Sequence, residues 1–220
     1  PPPLVPPAAQ LAGSSTRGPR VVPGTYTVRM SKGAQTYETK VAVGLDPRSP
    51  FTVADRQAQF DAAMKVHGMF GEMSDLVARI QAVREGARSA AATLPESDPL
   101  RAQLSALAGK ADDVRKKIVA TKEGGAITGE ERLREHMDNL YGGILGYDGR
   151  PTDTLIQYTG ALKQELGDIA AQFEELRSKD LASANLALKA KGLPEIALPE
   201  HAPVAWRFSG NPDTRPAERD

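Results

Sequence analysis

The sequence contains no cysteine, which excludes disulfides, thiolate metal sites and cysteine nucleophiles. Its 28 basic and 28 acidic side chains cancel, so it lacks the broad positive surface that nucleic acid or anionic lipid would require. No apolar run approaches the roughly 18–20 residues of a membrane-spanning helix. Aromatic residues make up only 5% of the chain. Few are therefore left to line a carbohydrate or ligand groove.

Proline is distributed unevenly along the 220 residues. Seven of the 17 prolines lie in the first 23 residues, whereas only three lie between Thr52 and Gly192. Because proline breaks helix interiors, the long middle can be helical and both ends should be extended. We predict a Pro-rich arm over residues 1–19, a partial β region over 20–50, an antiparallel helical bundle over 51–193 and an extended tail over 194–220. The predicted fold class is α+β, mainly α.

Residues 21–45 have the pattern of a β-hairpin. In the first run Tyr26, Val28 and Met30 alternate with polar residues, which is the period of a half-buried strand. A turn at residues 31–34 follows, with Gly33 able to adopt a positive φ. The second run again places apolar residues on one face. These are Tyr37, Thr39, Val41, Val43 and Leu45.

A lone hairpin is marginally stable in water. We therefore expect its strands to pair with the Leu4–Val5 region, with the apolar part of the tail at residues 204–208, or with another chain. That part of the tail contains the only tryptophan. The predicted partner-binding residues are Leu4, Val5, Tyr26, Val28, Tyr37, Val41, Trp206 and Phe208.

From Thr52 onward the apolar period is helical. Residues 52–55 have the form of a capping box, and this first helix should extend to about Thr93. Asp98 followed by proline predicts the start of a second helix. Its heptad seam, and the short loop before it, predict that the first two helices lie antiparallel. The seam residues are Leu100, Leu104, Leu107, Ala111, Val114 and Ile118.

A third helix should begin near Thr128 or Gly129 and end in the Gly-rich loop at residues 142–149. Residues 150–153 should open the last long helix, with a break at residues 178–180 and an end at Gly192. Its predicted core stripe is Leu155, Tyr158, Leu162, Leu166, Ile169, Phe173 and Leu176.

Four segments, taken in order, resemble a known family. The segments are residues 18–28, Asp46-Pro47-Arg48, the region of Asp55 with Gln57 and Gln59, and residues 146–152. Together they resemble the C-terminal region of bacterial exported proteins of the sialidase-like or sortilin-like BNR-repeat glycosyl hydrolase family. The resemblance implies an immunoglobulin-like β region at 20–50, a helical C-terminal region, and export to the periplasm or the outside of the cell.

The chain also departs from that family. The Asp-box signature of its β-propeller, Ser-x-Asp-x-Gly-x-x-Trp, is absent, and so are nearly all strands of a complete sandwich. No hydrolase residue can therefore be transferred to this sequence. The resemblance implies a binding or structural role rather than catalysis.

No residue pattern indicates a catalytic, cofactor or metal site. His67, His136 and His201 lack an HExxH arrangement, and the glycines at 142–149 lack the spacing of a phosphate-binding loop. Carboxylates are abundant, but no two are singled out as a glycosidase pair.

These features predict a non-enzymatic exported structural subunit that docks on a larger protein assembly. A membrane-bound respiratory or photosynthetic complex is one candidate host. One alternative is an accessory C-terminal fragment of a propeller-type glycosyl hydrolase. The other is a self-contained hydrolase, which would need a pocket with two convergent carboxylates.

Overall fold

The computed structural model of the protein describes residues 18–121 and 129–200. This part is mainly helical with one small two-stranded antiparallel sheet, which confirms the predicted α+β, mainly α class. The predicted residues Leu4, Val5, Trp206, Phe208 and His201 lie outside the described residues. The elements are β1 (Gly24–Lys32), β2 (Gln35–Val43), α1 (Val53–Ala92), α2 (Pro99–Ile118), α3 (Leu133–Leu145), α4 (Asp153–Leu176), a π-helical turn (Arg177–Leu181) and α5 (Ala182–Ala190).

The first turn of α1 is fixed by the predicted capping box. Thr52 Oγ1 accepts a hydrogen bond from the Asp55 backbone N–H at 3.2 Å. The Asp55 carboxylate in turn accepts one from the Thr52 backbone N–H at 3.0 Å. These bonds satisfy two donors that a helix start would otherwise leave unpaired. The helix then continues without interruption for 40 residues.

The second helix packs antiparallel against the first, as the short loop predicts. The Asp98 side chain caps it by accepting a hydrogen bond from the Leu100 backbone N–H at 3.0 Å. Contacts that are symmetric about the loop, such as Arg84 with Asp112, show the antiparallel arrangement. All six residues of the predicted heptad seam are buried, so the two helices share a continuous apolar core.

Asp112 is the centre of an ion cluster on this helix pair. Its Oδ1 lies 3.0 Å from Arg84 Nε and 2.9 Å from Arg115 Nε, and its Oδ2 lies 2.9 Å from Lys116 Nζ. Burial alone would raise the pKa of Asp112. Hydrogen bonds from Lys116 and Arg115, together with the charges of Arg115 and Arg84, outweigh burial and lower the pKa to about 2. The folded state therefore favours the ionised carboxylate.

Acidification is expected to remove the stabilisation that Asp112 provides. Because an aspartate in an unfolded chain has a pKa near ~3.9, the contribution should be complete above about pH 5, where it is worth roughly 2 kcal/mol, and should disappear as the pH falls toward about 2. The substitution Asp112→Asn should lower the free energy of unfolding at pH 7. It should also make that free energy fall less steeply as the pH decreases, as measured by urea unfolding at each pH. The exposed Asp113→Asn is the control. An unaltered pH slope in Asp112→Asn would contradict the prediction.

The third helix differs from its predicted bounds. It begins at Leu133 rather than near Thr128 or Gly129, because the Glu135 carboxylate accepts a hydrogen bond from the Arg132 backbone N–H at 2.9 Å. It ends at Leu145. Gly142 and Gly143 therefore belong to the helix, and the loop before α4 is shorter than predicted.

The last long helix starts as predicted but differs within its length. Thr152 caps it by accepting a hydrogen bond from the Leu155 backbone N–H. Tyr158 was predicted in the core but is 37% exposed. Thr159 is buried beside it, with its hydroxyl donating to the Leu155 carbonyl at 2.8 Å. The predicted break at 178–180 is wrong, since helical structure continues through the π-helical turn into α5.

The chain after α5 folds back onto the bundle. Gly192 has a φ of 71°, which lets the chain turn at the helix end. The Ile196 backbone N–H donates to Asn185 Oδ1 at 2.9 Å, and Asn185 Nδ2 donates to the Ile196 carbonyl at 3.1 Å. Ile196 is buried against Gly86 of α1, where an added Cβ would approach it to 2.7 Å. The packed structure therefore extends past Leu193.

Candidate interaction surface

The hairpin carries one apolar face and one polar face. Its strands pair in an unbroken register, in which Tyr26 lies opposite Val41, Val28 opposite Thr39, and Met30 opposite Tyr37. Directly opposed residues project to the same side of an antiparallel pair. We call this side the apolar hairpin face. It consists of Tyr26, Val28, Met30, Tyr37, Thr39 and Val41.

The apolar hairpin face is largely open to solvent. Met30 is 57% exposed, Val28 and Tyr37 are each 50% exposed, and Val41 is 45% exposed. Tyr26 is half-buried, and its hydroxyl donates to the Val22 carbonyl at 2.5 Å. By contrast, the apolar stripes of the helices are buried. A contiguous apolar patch of this kind is a feature of interaction sites.

The opposite face of the hairpin is polar. Arg29 and Glu38 lie across from each other and form an ion pair, with Arg29 Nε 2.5 Å from Glu38 Oε1. Thr27 lies opposite Lys40 on the same side. Within the described residues no third strand joins this sheet, so both outer strand edges present unpaired backbone N–H and C=O groups. Such edges are templates for strand addition by another polypeptide.

Four of the predicted partner-binding residues, Tyr26, Val28, Tyr37 and Val41, come together on the apolar hairpin face. Met30 was not included in that prediction, although it is the most exposed residue of the face. The alternation of apolar and polar residues in β1 places Met30 on this side, so the sequence pattern is sufficient to predict it.

The base of the hairpin meets the helices at a charged junction. Asp148, in the loop before α4, accepts a hydrogen bond from Arg20 Nη1 through Oδ1, and the same oxygen lies 3.5 Å from Arg56 Nη1. Gln59 Nε2 donates to the carbonyls of Ile144, at 2.7 Å, and Tyr147. The junction therefore unites the hairpin base, the first turns of α1 and the loop at 146–149.

An aromatic contact also lies at the junction. The rings of Phe51 and Tyr147 meet edge to face, with their centroids 6.0 Å apart. An added Cβ at Gly149 would approach Tyr147 to 2.5 Å and Phe51 to 2.7 Å, so only glycine fits there without displacing a ring. Three stretches of the chain that are far apart in the sequence, at residues 20, 51–59 and 144–149, therefore meet at this one place.

The histidines of the described part are not assembled into a metal site. Within residues 18–121 and 129–200 no group of three or more His, Asp or Glu side chains is placed to hold a metal ion. His136 Nε2 lies 3.8 Å from a Glu131 carboxylate oxygen. His67 is buried in the bundle, and burial lowers its pKa. In the same described stretch no helix is both long and apolar enough to cross a membrane.

Comparisons of the chain with protein-family models, with curated proteins and with solved structures found no match.

Proposed function

We propose that this protein is a non-enzymatic, exported structural subunit that docks on a larger protein assembly through the apolar hairpin face. The single observation that carries the proposal is the exposure of Val28, Met30, Tyr37 and Val41 on one side of a two-stranded sheet whose edges are both open in the described chain. A polypeptide partner can pack on the apolar hairpin face and form backbone hydrogen bonds with the open strand edges.

The energetics support a partner at this surface. Full burial of a large apolar side chain is worth roughly 1.5–3 kcal/mol. Covering four half-exposed side chains would therefore contribute on the order of 3–6 kcal/mol before the costs of association. An isolated hairpin is itself marginally stable in water. A partner that covers the face would stabilise the hairpin and gain affinity at the same time.

The geometry favours addition of partner strands to the open edges. In strand addition, backbone hydrogen bonds supply affinity and alternate side chains supply specificity. Both strands are nine residues long, which is ample for such pairing. The alternation of Tyr26, Val28 and Met30 with polar residues gives the partner one apolar side on which to pack.

Placing a charge on the apolar hairpin face is expected to abolish docking. Val28→Glu would bury an unpaired carboxylate in the contact. The matched control is Thr27→Glu, which adds the same charge one residue away, on the polar face and opposite Lys40. Each full-length tagged variant is expressed in the native source and purified under mild conditions, and co-purifying proteins are quantified. The amount of stoichiometric partner that co-purifies should fall at least tenfold for Val28→Glu and should stay unchanged for Thr27→Glu.

The control variant makes the result decisive. Equal recovery of partners by both variants would contradict docking through this face. A wild-type chain that elutes as a monomer without any stoichiometric partner would contradict the proposed function as a whole.

The alternative is that the chain is the accessory C-terminal part of a propeller-type glycosyl hydrolase. The convergence of Arg20, Gln59 and Asp148 at one junction supports this alternative, because they lie in or beside the segments that carry the family resemblance. The coding sequence upstream of Pro1 provides the test. Repeated Asp-box motifs there would favour the alternative, and a different upstream sequence would count against it.

A further inference from the structure

The second strand of the hairpin carries two opposite charges that are two residues apart. Glu38 and Lys40 are both exposed and lie on the polar face of the hairpin. Glu38 forms an ion pair with Arg29 across the hairpin. Lys40 lies opposite Thr27 and forms no ion pair within the described residues. One of the two charges is therefore left without a counter-charge in this chain.

The backbone groups of Glu38 and Lys40 point away from β1. The two-residue turn at 33–34 is closed by the pair of Lys32 and Gln35, and the closing pair of such a turn is hydrogen-bonded. Hydrogen-bonded pairs then recur at every second position of the ladder. Glu38 and Lys40 fall between these positions. Their N–H and C=O groups therefore lie on the outer edge of β2, which we call the β2 edge.

A β2 strand from a second copy of the chain can satisfy both charges. If two β2 strands pair antiparallel about a two-fold axis at Thr39, Glu38 of each copy lies opposite Lys40 of the other. An axis at residue 38 or 40 would instead oppose like charges. Every other axis within the strand leaves neither residue opposite a charge. Opposite charges directly across an antiparallel pair are stabilising and like charges are destabilising, so the register centred on Thr39 is favoured.

The same register unites the two apolar hairpin faces. Tyr37 of each copy lies opposite Val41 of the other, on the same side of a four-stranded sheet. An isolated two-stranded hairpin is marginally stable in water, whereas three or more strands with an apolar face can be stable. Pairing of the β2 edges would therefore stabilise both hairpins and remove one open edge from each.

The charges also favour a second copy over an arbitrary strand. Lysine on an edge strand discourages pairing with other polypeptides, because its ammonium group meets no carboxylate in most registers. In the pairing of β2 with itself, Lys40 meets Glu38 of the other copy. The first strand offers no equivalent, because Arg29 is its only charged residue apart from Lys32 at its end.

We propose that two copies of this chain associate through their β2 edges, in the antiparallel register that places Thr39 opposite Thr39 and Glu38 opposite Lys40. The product is a two-fold symmetric dimer with a four-stranded sheet. This inference does not rest on the proposed docking function, since edge pairing leaves the apolar hairpin face and both β1 edges open to a different partner. Such a partner would meet a face of twice the size.

The register is tested with single-cysteine variants of the full chain, which has no cysteine of its own. Thr39→Cys should form a disulfide-linked dimer under mild oxidation, because residues of a non-hydrogen-bonded antiparallel pair have Cα atoms about 4.5 Å apart, within disulfide range. Thr36→Cys is the matched control on the same strand. In this register its two copies lie about 20 Å apart, so its cross-linking should be at least about tenfold slower on non-reducing gels.

A second control separates edge pairing from stacking of the two apolar faces. Val28 lies opposite Thr39 and faces the same side, but it belongs to β1. In the proposed dimer the two Val28 residues are three strand spacings apart, about 14 Å. Val28→Cys should therefore cross-link as slowly as Thr36→Cys.

The charge pairing is tested by sedimentation velocity with Glu38→Lys and Lys40→Glu. Each variant alone opposes like charges in the dimer, so its dissociation constant should be at least about tenfold higher than that of the wild type. An equimolar mixture of the two variants again places opposite charges across from each other at both positions. The mixture should therefore recover the lost affinity, and this recovery also shows that each variant is folded.

Three results would each overturn the proposal. The first is a wild-type chain that sediments as a monomer at all concentrations up to about 1 mM. The second is cross-linking of Thr39→Cys that is no faster than that of Thr36→Cys or Val28→Cys. The third is a mixture of the charge variants that associates no better than either variant alone.

The variant used to test docking keeps the two proposals separate. Val28→Glu should leave the sedimentation of the dimer unchanged, because Val28 lies on β1, away from the β2 edge. Loss of a co-purifying partner without loss of the dimer therefore reports on docking alone, and loss of the dimer in Val28→Glu would contradict pairing through the β2 edge.

Discussion

Replacing Phe173 with alanine is expected to lower the free energy of unfolding by about 3–5 kcal/mol. Phe173 is one of the largest fully buried side chains and belongs to the apolar core shared by the helices. The Arg79 guanidinium lies 5.4 Å from its ring centroid, so truncation also removes a cation–π contact. The effect is measured by urea unfolding followed by circular dichroism, and it should appear as a lower midpoint with little change in slope.

Ile156 provides the matched control for Phe173. It lies on the same helix but is 52% exposed, so Ile156→Ala should change stability by no more than about 0.5 kcal/mol. Phe173→Leu separates the two contributions, because it keeps most of the apolar volume and removes the aromatic face. A loss below about 1 kcal/mol in Phe173→Ala would contradict the assignment of this residue to a close-packed core.

Replacing Gln59 with leucine is the second large expected effect, at about 2–4 kcal/mol of lost stability. The Gln59 amide donates to the carbonyls of Ile144 and Tyr147. One of these belongs to the last turn of α3, where carbonyls have no partner within the helix. Leucine has a similar volume but no donor, so the buried Ile144 carbonyl and the partly buried Tyr147 carbonyl would both lose a hydrogen bond. Unfolding by urea gives the measurement.

Gln57→Leu is the control for this substitution. Gln57 lies two residues away on the same helix, but it is exposed and its amide reaches only Asp61, at 2.8 Å. The same chemical change there should alter stability by less than about 0.5 kcal/mol. Similar losses in the two variants would indicate that the effect comes from the glutamine-to-leucine change itself rather than from the junction.

The elements that follow from local chemistry were predictable. The hairpin follows from the alternation around Tyr26 and from Gly33, which has a φ of 58° in the turn. The starts of α1, α2 and α4 follow from capping side chains that bond within three residues of their own position. The predicted start of α3 near Thr128 or Gly129 is wrong, since the helix begins at Leu133. The bond that sets this start is made by Glu135, which lies inside the helix.

The irregularity near residue 178 was visible in the sequence but misinterpreted. Buried residues in most of this helix recur at steps of three and four, whereas Leu176 and Leu181 are five apart and both buried. A π-helical turn brings residues five apart onto the same side. The step of five therefore indicated a widened turn within a continuous helix, and not a break.

The charged junction at the base of the hairpin could not be predicted from spacing. Arg56 and Asp148 are separated by more than 90 positions, and neither is part of a local pattern that indicates charge pairing. Gln59 was noticed only through the family resemblance. Its role depends on the carbonyls at the end of α3, which no sequence period identifies. Long-range polar contacts of this kind are determined by the packing of whole elements.

The unbroken register of the hairpin makes its surface sensitive to single-residue insertions or deletions. Side chains of a strand alternate sides with a period of two, so one residue inserted ahead of Tyr37 would send Tyr37, Thr39 and Val41 to the opposite side of the ribbon. The apolar residues would then be divided between the two sides, and no partner could cover them together. An insertion or deletion within these strands therefore keeps the apolar hairpin face intact only when it changes the strand length by an even number of residues.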